Sequence, residues 1–169
     1  DISATTSGLY RYGGVGRGKT MLMDMFASCL DAGSYQRLHF HDFMVMAHNA
    51  VQAARDAGAT DPFIHAAEQL IKAGHIICFD EMEVRDIADA MIVQRLFTAL
   101  WNNGMVLIAT SNRAPDQLYL NGLHRDRFLP FIEQIKSRLT IHEIAGGPDW
   151  RQQYLADISN WHVKTPDDD

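Results

Sequence analysis

The chain has 169 residues and a mass of 19.0 kDa, the size of a single domain and long enough to bury a core without disulfide or metal staples. Hydrophobic residues make up 47 % and charged residues 21 %, which excludes wholesale disorder and fibrous repeats. A net charge of −6 and a pI near 5.7 supply no overall field for nucleic acid or anionic membrane, and no apolar run reaches the length of a spanning helix.

Short apolar runs alternate with helix-like stretches, which points to an α/β fold around a mainly parallel sheet. Leu9–Tyr12 reads as a first strand. It runs into the glycine cluster Gly13-Gly14-Val15-Gly16-Arg17-Gly18. From Lys19 to Leu30 the chain reads as a helix that is apolar nearly all round and therefore buried, with Met21, Met23 and Met25 in its core. Gly33 is placed to stop it. Arg37–Phe40 is the second strand, on which His39 and His41 are expected to share one face; core or interface packing is the reading for both. Phe43, Ala47, Val51 and Ala54 mark one face of the next helix. Asp61-Pro62 is an N-cap followed by proline at the first helical position, with Gly74 as the stop.

Ile76–Phe79 reads as a strand buried on both faces. Asp86 is placed to cap a helix that runs to about Trp101, where Asn102-Asn103-Gly104 breaks it. Val106–Thr110 is the fourth strand, Phe128–Lys136 the last helix and Leu139–Ile144 the fifth strand. Beyond Gly146 the pattern fades toward the acidic end Asp167–Asp169. Residues 1–151 are expected to form the core and 152–169 a poorly structured tail. Asp1 stands where a Met would open a complete chain, and no basic-then-apolar leader follows, so a fragment is expected. Cys29 and Cys78 both sit among apolar residues and are expected to be buried thiols, in keeping with an intracellular compartment.

Gly13-Gly14-Val15-Gly16-Arg17-Gly18-Lys19-Thr20 matches the phosphate-loop pattern G-x-x-x-x-G-K-[ST] without a mismatch. Glycines let the backbone wrap with its N–H groups inward, as a nest for anions, and a helix beginning there adds its positive end. Lys19 is placed to reach the β- and γ-phosphates and Thr20 to offer its hydroxyl to Mg²⁺. Strand Ile76–Phe79 ends in Asp80-Glu81, a Walker B pattern: Asp80 would hold Mg²⁺ and Glu81 would orient the attacking water. The intervening strand Val106–Thr110 ends in Ser111-Asn112-Arg113, and Asn112 is the candidate sensor beside the γ-phosphate. No Asn-Lys-x-Asp or Asp-x-x-Gly occurs, which favours ATP over GTP.

Four longer strings carry a more specific likeness: Arg37-Leu-His-Phe-His-Asp-Phe-Met44, Asp86-Ile-Ala-Asp-Ala-Met-Ile92, Ala109-Thr-Ser-Asn-Arg113 and Leu118–Ile132. In this order, over roughly Gly8–Arg151, the chain resembles the ZapE-type cell-division ATPases of bacteria and their mitochondrial Afg-like relatives, within the AAA+ class. Met82 stands where Phe is usual, His124 where Gln is usual and Trp150 where Tyr is usual. The resemblance implies a three-layer P-loop NTPase of the ASCE type with strand order 5-1-4-3-2, a Mg²⁺-dependent ATP-hydrolysing motor, and a helical lid absent from this chain. It also implies assembly of the full-length protein as a homo-oligomeric ring, a hexamer, with Arg125, or in reserve Arg127, completing a neighbour's site. The implied client is a protein. The implied settings are the bacterial cytoplasm, free or at the inner membrane, and the mitochondrial matrix. Two other functions remain open on the residues alone: a helicase-loader-like ATPase stimulated by nucleic acid, against which the acidic balance counts, and a non-hydrolysing nucleotide-binding scaffold, against which the intact Glu81 counts.

Overall fold

The computed structural model of the chain describes residues 7–144. Five strands, β1 (Gly8–Tyr12), β2 (Tyr35–His39), β3 (Ile76–Asp80), β4 (Val106–Ser111) and β5 (Thr140–Glu143), form one sheet. Its order is β2-β3-β4-β1-β5 and every pairing is parallel. Read from the other edge this is the expected 5-1-4-3-2. Helices α1 (Lys19–Ser28), α2 (Phe40–Asp56), α3 (Pro62–Leu70), α4 (Ile87–Asn102) and α5 (Leu129–Arg138) make the connections.

Helices α2, α3, α4 and α5 pack in succession, whereas α1 packs against β3 and β4. The alternation of side chains along β3 separates the two layers. Phe79 meets Phe43 of α2 and Phe97 of α4 at 5.0 and 6.2 Å between ring centroids. Asp80, on the opposite face, is linked through Arg37 to Asp24 of α1. The aromatic group continues through Phe97 to Trp101 and Phe131, and such edge-on pairs add to the stabilisation that burial alone supplies.

The cap signals work as the side-chain chemistry dictates. Asp61 accepts hydrogen bonds from the amides of Phe63 and Ile64, with Pro62 in the first turn of α3. Asp86 accepts from Ala88 N at the start of α4. Phe43, Ala47, Val51 and Ala54 are all buried along α2.

Four expectations require correction. Helix α1 ends at Ser28, and Gly33, at φ 85°, lies in the following turn. This helix covers the sheet with a narrow strip only, so Met23 is buried while Met21 and Met25 are each 60 % exposed. Cys29 follows the last turn of α1 and is exposed; Cys78, inside β3, is buried as expected. His39 and His41 do not share a strand: β2 stops at His39, whose extended backbone caps α2, and His41 is already helical. Both histidines are exposed. The expected core residues after Ile144, and the tail 152–169, lie outside the described residues.

The order of the sheet creates a switch point. The connection after β1 crosses to β2 at one edge, and the connection after β4 leads past β1 to β5 at the other. Ligands of open parallel sheets bind where such connections part, at the carboxyl ends of the strands. In this chain that point lies between β1 and β4, where the glycine loop and Asn112 emerge.

Candidate nucleotide site

The glycine loop follows β1 directly. Gly13 N donates to Ser111 O at 3.2 Å, which anchors the loop to the end of β4. Gly13 itself is buried, and a Cβ there would lie 3.0 Å from Ile144 O. Gly18 caps α1 in a left-handed conformation, φ 75°, with no side chain bonded to the helix end. The first-turn amides of α1 therefore carry no side-chain cap, which is the arrangement that binds anions.

Lys19 is buried, 8 % exposed. Its Nζ donates to Gly13 O and Gly14 O, both at 2.7 Å. Burial lowers its pKa, the nearby Glu81 carboxylate opposes that shift, and the Arg17 guanidinium reinforces it. Arg17 turns back to donate to Ile144 O at 3.2 Å, so its side chain braces the loop against the end of β5. Thr20 is exposed.

A cavity of about 200 Å³ is lined by Val15 to Met21 together with Glu81, Thr110 and Asn112. The structure thus brings together most of the residues that the sequence selected: Val15, Gly16, Arg17, Gly18, Lys19 and Thr20, with Glu81 from the end of β3 and Asn112 from the end of β4. Gly13 and Gly14 lie behind, as acceptors for Lys19.

Asp80 does not line this cavity. Its Oδ2 accepts from Arg37 Nε at 2.6 Å, and Arg37 Nη1 also donates to Asp24. Hydrogen bonds to these two carboxylates, Asp80 first, hold the Arg37 pKa above its already high ordinary value. Asp80 Oδ1 is buried and has no hydrogen-bond partner among the described residues. Such an orphaned carboxylate oxygen suits a hydrated divalent cation, so Asp80 and the Thr20 hydroxyl are chemically fit to hold Mg²⁺.

Arg125 stands apart from the loop cavity of its own chain. It lies in a single 3₁₀ turn, Arg125–Arg127, and donates to Asp116 O at 2.7 Å through Nη2. Its Nε is buried without a partner among the described residues. Arg127 is exposed.

Three side chains around the site escaped the sequence reading. In the sequence Arg37 only opens the second strand, whereas pairing of β2 with β3 sets it opposite Cys78 and hence diagonal to Asp80. In the sequence Thr110 and Ser111 stand only at the end of the fourth strand, yet both are buried polar groups bonded to the acidic turn. Two adjacent hydroxyl residues closing an apolar run just before Asn112 are the signal that could have found them.

Residues 2–168 match the family model described as AFG1-like ATPase. The chain is 46 % identical over 154 residues to the cell division protein ZapE of Escherichia coli K12, covering 91 % of this chain and 40 % of that protein. It is 41 % identical to lactation elevated protein 1 homolog B of Danio rerio, covering 88 % of this chain and 31 % of that one. The chain therefore spans well under half the length of these relatives. Among solved structures, domain III of the replication initiation protein DnaA from Thermotoga maritima superimposes with a TM-score of 0.60 at 17 % identity, over 96 % of this chain and 66 % of that one. That likeness concerns the fold alone. On the match across nearly its whole length, the chain belongs to the AFG1-like ATPase family.

Proposed function

We propose that the chain is the nucleotide-binding core of an ATPase that hydrolyses Mg-ATP. The observation that carries this reading is the single cavity bordered by the phosphate loop, Lys19, Glu81 and Asn112. The amides of the loop and the start of α1 would receive the phosphate oxygens, and the Lys19 amine would exchange its loop carbonyls for phosphate charge. Thr20 and Asp80 Oδ1 would hold Mg²⁺, which supplies neutralisation of charge developing on the triphosphate. Glu81 would orient water toward the γ-phosphate and draw off its proton, and the Asn112 amide would hold the same water or the γ-phosphate oxygen.

The test compares the chain with its Glu81→Gln variant. The expected result is retained ATP binding with turnover lowered about 10²–10⁴-fold. Equal turnover in the two proteins would remove Glu81 from the reaction.

Beyond hydrolysis, our reading is a homo-oligomeric ring acting on a protein client. Support for a shared site comes from Arg125, which points at Asp116 rather than into its own loop cavity. An arginine supplied by a neighbour can be worth 10³–10⁵-fold. Mixing Arg125→Ala with active subunits is expected to lower turnover per active subunit; unchanged turnover on mixing would contradict it. Similarity to a cell division protein makes division the first setting to test, with mitochondrial protein quality control as the second.

A further inference from the structure

The amide and carbonyl groups flanking Glu81 are held by two buried hydroxyls of the neighbouring strand. Glu81 has φ 57°, a left-handed conformation that a residue with a Cβ adopts only under constraint. Its amide donates to Thr110 Oγ1 at 3.3 Å, and that hydroxyl donates to Phe79 O at 3.3 Å. One residue further on, Met82 N donates to Thr110 O at 2.7 Å, and Ser111 Oγ donates to Met82 O at 2.8 Å. The same Ser111 hydroxyl accepts from Arg113 N at 3.2 Å, on the far side of Asn112. Its carbonyl accepts from Gly13 N.

Thr110 and Ser111 are 4 % and 1 % exposed, so their hydroxyls have no water to fall back on, and loss of either leaves main-chain groups unpaired. Between them they contact the phosphate loop at Gly13, the acidic turn on both sides of Glu81, and the backbone just after Asn112. A strained turn persists only where its surroundings over-determine it. These two hydroxyls do so together with the main-chain bond from Met82 N to Thr110 O.

We infer that Thr110 and Ser111 are positioning residues for hydrolysis. They lock the left-handed turn that sets Glu81 at the wall of the loop cavity and fix Asn112 relative to it. The inference rests on the reading of Glu81 as the group that activates water. Neither hydroxyl is required to touch the triphosphate, so their removal acts on turnover rather than on nucleotide affinity.

The experiment uses Thr110→Val, Thr110→Ser and Ser111→Ala, each in the native and in the Glu81→Gln background, with two readouts. The first is amide hydrogen exchange. Thr110→Val is expected to speed exchange at Glu81, and Ser111→Ala at Arg113, by roughly tenfold, while amides of β3 remain protected. The second is steady-state ATP turnover. Thr110→Val and Ser111→Ala are expected to lower kcat about tenfold with KM within about twofold, Thr110→Ser to restore most of it, and both losses to vanish in the Glu81→Gln background. The inference is overturned by unchanged exchange, by faster exchange with unchanged kcat, or by equal losses in the two backgrounds. It is equally overturned if Thr110→Ser fails to restore what Thr110→Val removes. A native chain without turnover would defeat the hydrolysis reading and this inference with it; the exchange data alone would then still report whether the hydroxyls hold the turn.

Discussion

Arg37 Nε lies 2.6 Å from Asp80 Oδ2, and the other arm of the same guanidinium holds Asp24. One cation on β2 thereby ties the acidic end of β3 to the helix that begins at the phosphate loop. The contact leaves Asp80 with one oxygen engaged and one unpartnered, so Arg37 decides which carboxylate oxygen is available to a metal.

Replacing Arg37 with Met keeps the aliphatic stem and removes both charged bonds. The Asp80 side chain is only 15 % exposed, whereas that of Asp24 is 60 % exposed. Leaving a shielded carboxylate uncompensated is the costly half. Arg37→Met is expected to lower unfolding free energy by about 1–2 kcal/mol and Asp24→Asn by less than about 1 kcal/mol. Urea unfolding curves with a common slope check this; equal effects of the two variants would contradict it.

The two thiols should differ in reactivity. Burial pushes the Cys78 thiol up to about 11, while Cys29 is exposed. Because the thiolate is the reactive form, a maleimide at neutral pH is expected to label one cysteine, Cys29, in the native chain and both in urea. The sign of the pH dependence follows. A thiol with a raised folded pKa favours folding below its ordinary value near 9, and that contribution is lost as pH rises toward about 11. Native labelling of Cys78 at a rate equal to that of Cys29 would contradict the burial.

Phe97 is fully buried and meets four rings: Phe43, Phe79, Trp101 and Phe131. It joins α2, the sheet, α4 and α5. Phe97→Ala is expected to cost about 3–5 kcal/mol and Phe97→Leu less than about 1.5 kcal/mol if neighbours repack. Thermal and urea unfolding measure both; a loss below about 1 kcal/mol for the alanine would show that the cluster contributes little.

The loop was legible because its chemistry is local. Gly13 to Thr20 must occupy consecutive positions to wrap a phosphate, whereas the full strand order came from the family resemblance carried by the longer strings. The capping aspartates Asp61 and Asp86 were legible for the same reason. What escaped the sequence depends on neighbours in space. Met21, Met25 and Cys29 look like core residues, but α1 meets the sheet along one narrow strip. His39 and His41 looked like strand partners because two-residue spacing cannot show that a strand ends between them. Arg37, Thr110 and Ser111 acquire their roles only across strand pairings.

The proposed activity depends on the Gly13–Thr20 loop and Lys19 gripping a triphosphate. Equilibrium titration of the chain and of its Lys19→Ala variant with a fluorescent ATP analogue in Mg²⁺ tests it most directly. Saturable binding that natural ATP displaces is expected, weakened at least about tenfold by the substitution in a variant that circular dichroism shows still folded, as follows from loss of a buried charged contact. Equal affinity in the two proteins would contradict it.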